Sequence, residues 1–294
     1  MSVDALALHD EAAGDAYRPR HLLMCRPEYF AVSYEINPWM NTTIPVDHRR
    51  ALKQWDRLVR VYEALGHRVE IIDPVPGLPD MVFAANSGLV VGGQVYPARF
   101  RFDERRGEED PYATWFAANG FTSHGEAAFI NEGEGDFATV GGPAGCPPGK
   151  KVVLGGFGFR TDVASHDEVR ARLGVDVVSL RLVDPRYYHL DTALAVLSDD
   201  DIAYNPAAFD EGSRAWLRTR FPHAVLIDDA DAAAFGCNAF SDGHHVIVSE
   251  GATNFASALR DRGYEPVPTD LSEFRKSGGS VKCCTLELRG ANPS

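Results

Sequence analysis

The sequence has 294 residues, 45% of them hydrophobic and 24% charged, which is ordinary for a folded globular protein. The formal net charge of -13 excludes nucleic-acid binding through a broad basic face and mildly favours a cationic small molecule as ligand. No apolar run approaches the ~20 residues that a membrane-spanning helix needs, so we expect no membrane association.

The cysteines and the N-terminus indicate the compartment. Five cysteines are scattered along the chain without a C-x-x-C pair, at positions 25, 146, 237, 283 and 284. This pattern argues against a disulfide framework and favours a reducing, cytoplasmic environment. Residues 1–20 are polar and acidic, so they do not resemble a signal peptide, and we expect a loosely ordered tail. Residues 21–294 are then expected to form a single domain.

In the first part of the chain, hydrophobic periodicity separates strands from helices. It predicts a strand at 21–27, a helix at 49–65, a strand at 67–72, a short strand at 81–83, a hairpin over 89–96 and a helix at 108–119. Residues 141–149 are dense in glycine and proline, which predicts a turn-rich loop.

The same analysis of the second part predicts strands near 151–154, at 175–182, 190–197, 202–204, 225–227, 245–249 and 265–267. It predicts helices at 165–173, 206–221, 230–235 and 253–262. The order strand, strand, helix, strand recurs at loose intervals of roughly 50 residues, which indicates a quasi-repetitive α/β domain, with a doubly wound sheet as the alternative. No G-x-G-x-x-G or Walker motif supports a nucleotide site.

A cysteine pair near the C-terminus is the first candidate for chemistry. Cys283 and Cys284 follow Gly278-Gly279 and Lys282, and they precede a Thr-Leu-Glu-Leu run that predicts a strand. A thiol at such a junction serves as a nucleophile when nearby positive charge lowers its pKa. The alternative is that both cysteines are small apolar residues at the edge of a sheet.

A nucleophilic thiol needs a base, and the sequence has two histidine motifs that could serve in catalysis or metal binding. His189 and Asp191 lie in a predicted strand, where alternate residues point to the same face, so an imidazole and a carboxylate reach one pocket. His-x-Asp is also common at structural or solvated positions. His244-His245 has no third ligand at a convincing spacing, so no metal site is predicted.

The acidic, glycine-rich stretch from Asn131 to Asp136 is a further candidate. Its closely spaced carboxylates repel one another unless a cation or a proton lies among them, although a solvated acidic turn is an equal alternative. The nearest arginines that offer a bidentate fork to a carboxylate are Arg105, Arg106 and Arg160.

Taken in chain order, the motifs NPWM, LPDMVFAANSG, GEGD, FRTD, HLDT and GGSVKCC resemble the guanidino-group-modifying superfamily of arginine deiminases, amidinotransferases and dimethylarginine dimethylaminohydrolases. The resemblance extends over roughly residues 21 to 290. It implies an α/β five-bladed ββαβ propeller with pseudo-fivefold symmetry, the pentein fold, with the active site in the central channel.

The resemblance assigns catalytic roles residue by residue. Cys283 matches the nucleophile, Cys284 its passive neighbour and His189 the general acid/base. Glu134 matches the carboxylate that orients the histidine. The family motif is closer to EGGD, so Glu132 stays open as the alternative.

The same resemblance assigns substrate contacts. Asp191 matches the carboxylate that holds the guanidinium, and Asp80 a residue near the α-amino end. The α-carboxylate binders are Arg160 together with Arg106, or Arg105 as the alternative. The remaining expected contacts are Asn86 and, in the NPWM loop, Asn37.

Asn86 determines which activity the resemblance implies. Deiminases and dimethylargininases usually have aspartate here, whereas an amide can donate to the carbonyl oxygen of a urea such as citrulline. The resemblance is closest to the bacterial arginine dihydrolases, which convert arginine to ornithine, CO2 and ammonia. Alternatives are a dimethylargininase, an amidinotransferase and a non-catalytic arginine-binding protein. No metal or cofactor is expected, and a homo-oligomer is compatible with the sequence.

Overall fold

A computed structural model of the protein describes residues 17–141 and 151–290. Its strands are β1 His21–Cys25, β2 Arg68–Ile72, β3 Gly88–Val91, β4 Gln94–Pro97, β5 Thr122–Ser123, β6 Phe137–Val140, β7 Val152–Phe157, β8 Asp176–Arg181, β9 Leu194–Val196, β10 Ile202–Tyr204, β11 Val225–Leu226, β12 Phe240–Ser241, β13 His245–Ser249, β14 Glu265–Thr269 and β15 Leu286–Glu287. Its helices are α1 His48–Ala64, α2 Asp103–Arg106, α3 Glu109–Ala118, α4 Ala164–Leu173, α5 Glu211–Arg220, α6 Asp229–Ala233 and α7 Thr253–Asp261.

Short 3-10 turns connect many of these elements. They are Pro79–Val82, Ala84–Ser87, Gly133–Gly135, Pro185–Tyr187, Leu190–Thr192, Pro206–Ala208 and Phe274–Ser277.

The strands form five sheets of three strands each, in the orders β15-β1-β2, β3-β4-β5, β6-β7-β8, β9-β10-β11 and β12-β13-β14. In every sheet the first pair is antiparallel and the second pair is parallel. Each parallel pair is joined through a helix, as a crossover between parallel strands requires. The five ββαβ units confirm the predicted pentein fold.

The first sheet differs from the others because it joins distant parts of the chain. Strand β15 pairs with β1 through Leu22 with Glu287 and Leu23 with Leu286, and the N–H of Leu288 donates to the carbonyl of His21 at 2.8 Å. The C-terminal strand therefore supplies the first strand of the unit that β1, α1 and β2 complete.

Helix α1 shows why these crossovers pack as they do. Asp47 caps its N-terminus by accepting a hydrogen bond from the N–H of Arg50. Trp55, Leu58 and Tyr62 recur at helical spacing and are almost completely buried in a shared apolar cluster. The burial of one face of the helix against its sheet holds this unit together.

Most predicted elements are present, and the differences have local causes. The hairpin over 89–96 is confirmed as β3–β4. The predicted strand at 81–83 is wrong, because the backbone forms the 3-10 turn Pro79–Val82. The predicted helix at 206–221 is interrupted, because Asp210 has an extended backbone and caps α5 through the N–H of Ser213.

The predicted strand at 190–197 also begins later than expected, at Leu194. Leu190–Thr192 form a 3-10 turn, so the alternation argument that placed His189 and Asp191 on one face of a strand is wrong. The predicted loop at 141–149 lies, beyond Gly141, outside the described residues.

The residues just before β1 are held by specific contacts. Tyr17 donates through its hydroxyl to the carbonyl of Leu65, and the N–H of Arg20 donates to His67 Nδ1 at 3.1 Å. The predicted loose tail therefore does not extend to residue 20, while residues 1–16 lie outside the described part. Within the described ranges, no helix has the length and apolar character required to cross a membrane.

Substitution at the first sheet tests how much its closure contributes. Leu23 in β1 is completely buried, whereas Leu226 in β11 is 61% exposed. Leu23→Ala is expected to lower the free energy of unfolding by about 2–5 kcal/mol through lost burial and a cavity. Leu226→Ala is expected to change it by less than about 0.5 kcal/mol. Urea denaturation followed by circular dichroism measures both, and equal losses would contradict this account of the core.

Candidate active site

The candidate site is assembled from equivalent positions in different sheets. Asn86, Glu134, Asp191, Asn238 and Cys283 each lie two or three residues before the first strand of their sheet. Because the five sheets form a ring, these short connections meet at its centre. The connections that carry Asn86 and Cys283 are adjacent, because the N–H of Ala85 donates to the Cys283 carbonyl at 3.0 Å. The fold therefore brings together two residues that are nearly two hundred positions apart in the sequence.

Cys283 is buried between two polar side chains. Its thiol donates a hydrogen bond to Asp191 Oδ2 at 3.1 Å, and the side-chain amide of Asn238 donates to its sulfur at 3.1 Å. Burial raises the pKa of the Cys283 thiol well above its usual range, and the Asp191 carboxylate raises it further. Burial likewise raises the pKa of Asp191 to about 7. At neutral pH the ligand-free site therefore holds a protonated thiol beside a titrating carboxyl group.

The imidazole of His189 lies against the carboxylate of Glu132, the alternative that the sequence left open. His189 Nε2 lies 2.7 Å from Glu132 Oε2, and Arg160 Nη1 donates to the same oxygen at 2.9 Å. Burial alone would raise the pKa of Glu132, but Arg160 and His189 hold it well below its usual range. An ionised Glu132 places the ring proton on Nε2, so Nδ1 is the histidine nitrogen left for chemistry.

The assignment of Glu134 as the orienting carboxylate is therefore corrected. Glu134 accepts a hydrogen bond from Lys282 Nζ at 2.6 Å and another from Arg289. The N–H of Glu287 also donates to it, at 3.1 Å. Through these contacts Glu134 links β15 to the acidic loop, residues 131–136. It affects the position of Cys283 only indirectly, through the backbone that connects Cys283 to β15.

Two glycines explain the register of this loop. Gly133 has φ of +52°, and a Cβ there would lie 2.4 Å from the backbone nitrogen of Gly88. A Cβ on Gly135 would lie 2.2 Å from Asn86 Nδ2 and 3.3 Å from His189 Nδ1. Only glycine allows the loop to approach both side chains so closely.

Two buried arginines lie beside the site. Arg160 is stacked between the rings of Phe102 and Tyr188, 4.7 Å and 4.6 Å from their centroids. Arg105 donates to Asn86 Oδ1 at 2.7 Å and forms a buried ion pair with Glu108 at 2.8 Å.

Arg106, which the sequence predicts as a substrate contact, does not line the cavity described below. Its side chain is 55% exposed and pairs with Asp103 on α2. The alternative, Arg105, is the arginine that faces the site, because α2 turns its neighbour toward solvent.

Asp80 and Asn37 border the same region. Asp80 accepts hydrogen bonds from Tyr34 and Ser277, each at 2.9 Å, and burial raises its pKa. The Asn37 amide donates to the carbonyl of Ser277 at 3.0 Å. Both contacts tie the segment before α1 to the segment that precedes Cys283.

These side chains enclose a cavity of about 240 Å³. It is lined by Ile36, Asn37, Asp80, Phe83, Asn86, Arg105, Arg160, Tyr188, Ser277, Gly279 and Cys283. Asn86 Nδ2, Asp191 Oδ1 and His189 Nδ1 are buried and have no hydrogen-bond partner among the described residues. A donor, an acceptor and a ring nitrogen left unsatisfied around one thiol indicate a polar ligand, since unpaired buried polar groups are costly.

A second hollow, of about 730 Å³, has Asp191 in its wall and is also lined by Glu134, Lys282 and Arg289. Four of its charged side chains already pair with one another, because Lys282 and Arg289 contact Glu134 and Glu287. The smaller cavity is lined by Cys283 and by Asn86, whose Nδ2 has no partner, so it is the better candidate for a substrate site.

The structure also changes the argument about His244 and His245. Glu265 is near both, and one ligand atom from each of the three residues lies within 4.8 Å of the others. The prediction that no third ligand is available is therefore wrong. None of the three residues lines the Cys283 cavity.

Asn238 was not predicted from the sequence as a residue of the site. The residue is completely buried and contacts both Asp191 and Cys283. The only signal in the sequence was its position just before the apolar start of β12, which matches the positions of Asn86 and Asp191 before their strands.

Comparison with known proteins identifies the family. Residues 26–290 match the family model described as N,N dimethylarginine dimethylhydrolase, eukaryotic. The chain is 50% identical over 275 residues to the N(G),N(G)-dimethylarginine dimethylaminohydrolase of Mycobacterium tuberculosis, covering 92% of this chain and 86% of that protein.

A second relative is named for a different activity. The bifunctional arginine dihydrolase/ornithine cyclodeaminase ArgZ of Synechocystis is 36% identical over 91% of this chain, which spans only 37% of that longer protein.

Solved structures agree on the fold. The N-terminal domain of ArgZ, as a cysteine-to-serine variant bound to substrate, superposes with a TM-score of 0.86 at 36% identity, covering 92% of this chain and 98% of that domain. The same domain has been solved covalently bound to a reaction intermediate, with a TM-score of 0.86. The predicted superfamily is thus confirmed, and the chain belongs to the dimethylarginine dimethylaminohydrolase family.

Proposed function

We propose that the protein is a cysteine-dependent hydrolase of the guanidino group of free L-arginine, and that it is an arginine dihydrolase producing ornithine, CO2 and ammonia. The observation that carries this proposal is the buried Cys283–Asp191 pair beside a cavity with an unsatisfied Asn86 amide. A thiol can attack a guanidinium carbon, a carboxylate can hold the cation, and an amide can donate to a carbonyl oxygen.

Substrate binding itself prepares the nucleophile. The guanidinium lies against Asp191 and brings a positive charge next to Cys283, which offsets the burial and the like charge that keep the thiol protonated. Arg105 and Arg160 line the same cavity and serve as donors to the α-carboxylate, and Asp80 is near the α-amino end. The bound guanidinium therefore favours formation of the thiolate that attacks it.

The first cycle then forms citrulline. The Cys283 thiol passes its proton to His189 as the sulfur attacks the guanidinium carbon, and His189 gives that proton to the departing ammonia, which leaves an S-alkylthiouronium. The same histidine takes a proton from water, and the resulting hydroxide releases citrulline and restores the thiol. Glu132 keeps the imidazole oriented through both transfers.

Asn86 supports a second cycle on bound citrulline. Its Oδ1 accepts from Arg105, which leaves Nδ2 as a donor for the ureido oxygen. A second attack expels another ammonia, and water then releases the carbamate of ornithine, which loses CO2. An aspartate at this position would present a carboxylate to that oxygen and oppose the second attack.

A dimethylargininase is the second candidate, because the relative from Mycobacterium tuberculosis with 50% identity bears that name. Such an enzyme would release dimethylamine from asymmetric dimethylarginine and stop at citrulline. It needs the same thiol, histidine and carboxylate, so the substrate and the final product distinguish the two activities.

Product analysis decides between them. Ornithine and two equivalents of ammonia are expected from arginine, with transient citrulline, as measured by amino-acid chromatography and an ammonia assay. Dimethylamine from dimethylarginine together with inert arginine would refute the dihydrolase. Cys283→Ser is expected to abolish turnover. Cys25→Ala, which changes another buried cysteine in β1 away from the cavity, serves as the matched control.

The product ratio of Asn86→Asp tests the second cycle separately. The variant keeps the acceptor for Arg105 but loses the donor, so citrulline is expected to accumulate while the first cycle continues. An unchanged yield of ornithine would remove Asn86 from this role.

The pH dependence of kcat/KM for arginine tests the role of Asp191. Its pKa is raised to about 7 by burial, and only the ionised form attracts a guanidinium, which stays protonated throughout. Because kcat/KM reports the free enzyme, it is expected to rise between about pH 6 and about pH 8. A flat profile over that range, in an enzyme whose circular dichroism is constant, would exclude this carboxylate as the cation holder.

The two acidic-loop glutamates make a matched pair. Glu132→Gln removes the ionised partner of His189 and is expected to lower kcat by about 100-fold in a folded protein. Glu134→Gln weakens the pairs with Lys282 and Arg289, so stability is expected to fall by up to about 3 kcal/mol while kcat changes little. Steady-state kinetics and urea denaturation of both variants measure this, and a reversal of the two effects would restore Glu134 as the orienting residue.

A further inference from the structure

A strained turn delivers Asn238 to the centre of the ring. After α6, Phe235 has a left-handed backbone with φ of +62°, the one positive φ outside glycine among the described residues. Residues with a side chain rarely adopt such a conformation, because the Cβ lies too close to the following carbonyl oxygen. The Phe235 ring packs on Trp39 with centroids 4.7 Å apart, and the N–H of Asn238 donates to the Phe235 carbonyl at 3.1 Å. Strain held in place by packing is typical of turns that position functional groups.

The side chain of Asn238 makes three hydrogen bonds with the site. Its Oδ1 accepts from the N–H of Cys283 at 3.1 Å. Its Nδ2 donates to Cys283 Sγ at 3.1 Å and to the carbonyl of Asp191 at 3.0 Å. One amide therefore holds the backbone and the sulfur of the nucleophile and also the residue opposite it.

The orientation of this amide follows from the chemistry of its partners. The N–H of Cys283 can only donate, so it requires the oxygen of the amide, and the carbonyl of Asp191 can only accept, so it requires the nitrogen. The NH2 group therefore faces the sulfur. The sulfur in turn lies beside the donor Asn238 Nδ2 and the acceptor Asp191 Oδ2. A backbone hydrogen bond from Ser280 also acts on it and lowers the pKa of the thiol.

We propose that Asn238 is a catalytic residue, whose amide N–H holds the Cys283 sulfur in place and stabilises it as the thiolate during attack. This role rests on the proposed function for the identity of the substrate, whereas the contact between Asn238 and the thiol does not depend on it. Hydrogen bonds to an ionised acceptor are about twice as strong as neutral ones. The donor therefore gains strength as the sulfur becomes negative and opposes the effects of burial and of Asp191, both of which favour the protonated thiol.

Alkylation of Cys283 tests the proposal without any substrate. The tryptic peptide that begins at Cys283, after Lys282, and ends at Arg289 contains Cys283 and Cys284, which fragment ions distinguish. The pH dependence of iodoacetamide modification at Cys283 is measured for the wild type, Asn238→Ala and Asn238→Asp. The apparent pKa is expected to rise by about one unit in Asn238→Ala and further in Asn238→Asp, where a carboxylate replaces the donor.

Kinetics supply the second measurement. On the substrate that the product analysis identifies, kcat is expected to fall about 10- to 100-fold in Asn238→Ala, with KM changed less than about threefold. Asn205→Ala is the matched control, because Asn205 is 1% exposed and its Oδ1 accepts from the N–H of Ala207 outside the cavity. The control is expected to lose stability but keep the wild-type kcat and alkylation profile.

The outcomes separate a role in chemistry from a role in folding. If Asn238→Ala loses only stability, as Asn205→Ala does, and its alkylation profile is that of the wild type, the proposal is overturned. If Asn238→Ala does not fold, the near-isosteric Asn238→Asp decides, and an unshifted profile there overturns it equally. A shifted alkylation profile in an enzyme that does not act on arginine would support Asn238 while refuting the proposed substrate.

Discussion

The pairing of β15 with β1 is the contact on which the rest of this structure depends. It joins the two ends of the described chain in one sheet and so closes a ring of five similar units. Closure brings the connection that carries Cys283 next to the one that carries Asn86, through the hydrogen bond from Ala85 to the Cys283 carbonyl. The site is therefore incomplete within one unit, because Asn86, Glu132, Asp191, Asn238 and Cys283 come from five different units.

The acidic loop shows how a small change of register distributes charge within this ring. Glu132 faces His189 and Arg160, whereas Glu134, two residues later, faces Lys282 and Arg289. Each glutamate is nearly completely buried and each is neutralised, but only the first is joined to the proposed chemistry. The intervening glycines allow this division, since a side chain at Gly135 would displace both Asn86 and His189.

The repeated units and the use of a cysteine nucleophile could be predicted from the sequence. Apolar periodicity and the order of the motifs can be recognised without knowing which residues are in contact. The turns could not be predicted. Asp191 and Asn86 lie in 3-10 turns whose geometry depends on neighbouring connections. The sequence also could not distinguish Glu132 from Glu134, or Arg105 from Arg106. Nearby residues of the same type differ only in the direction in which their side chains point. Asn238 was missed because an isolated asparagine before a short strand has no local signature of function.

The order in which the ring is built has a consequence for the reactivity of the thiol. Strands β1 and β15 are as far apart in sequence as any pair in the described chain, and contacts between such distant segments form slowly because a long loop must first be closed. The other four sheets contain no strand from the C-terminal segment, so their pairing does not require β15. Until β15 pairs with β1, Cys283 is not held beside Asp191 and Asn238. A partly unfolded chain in which β15 is unpaired therefore lacks the arrangement that is proposed for catalysis.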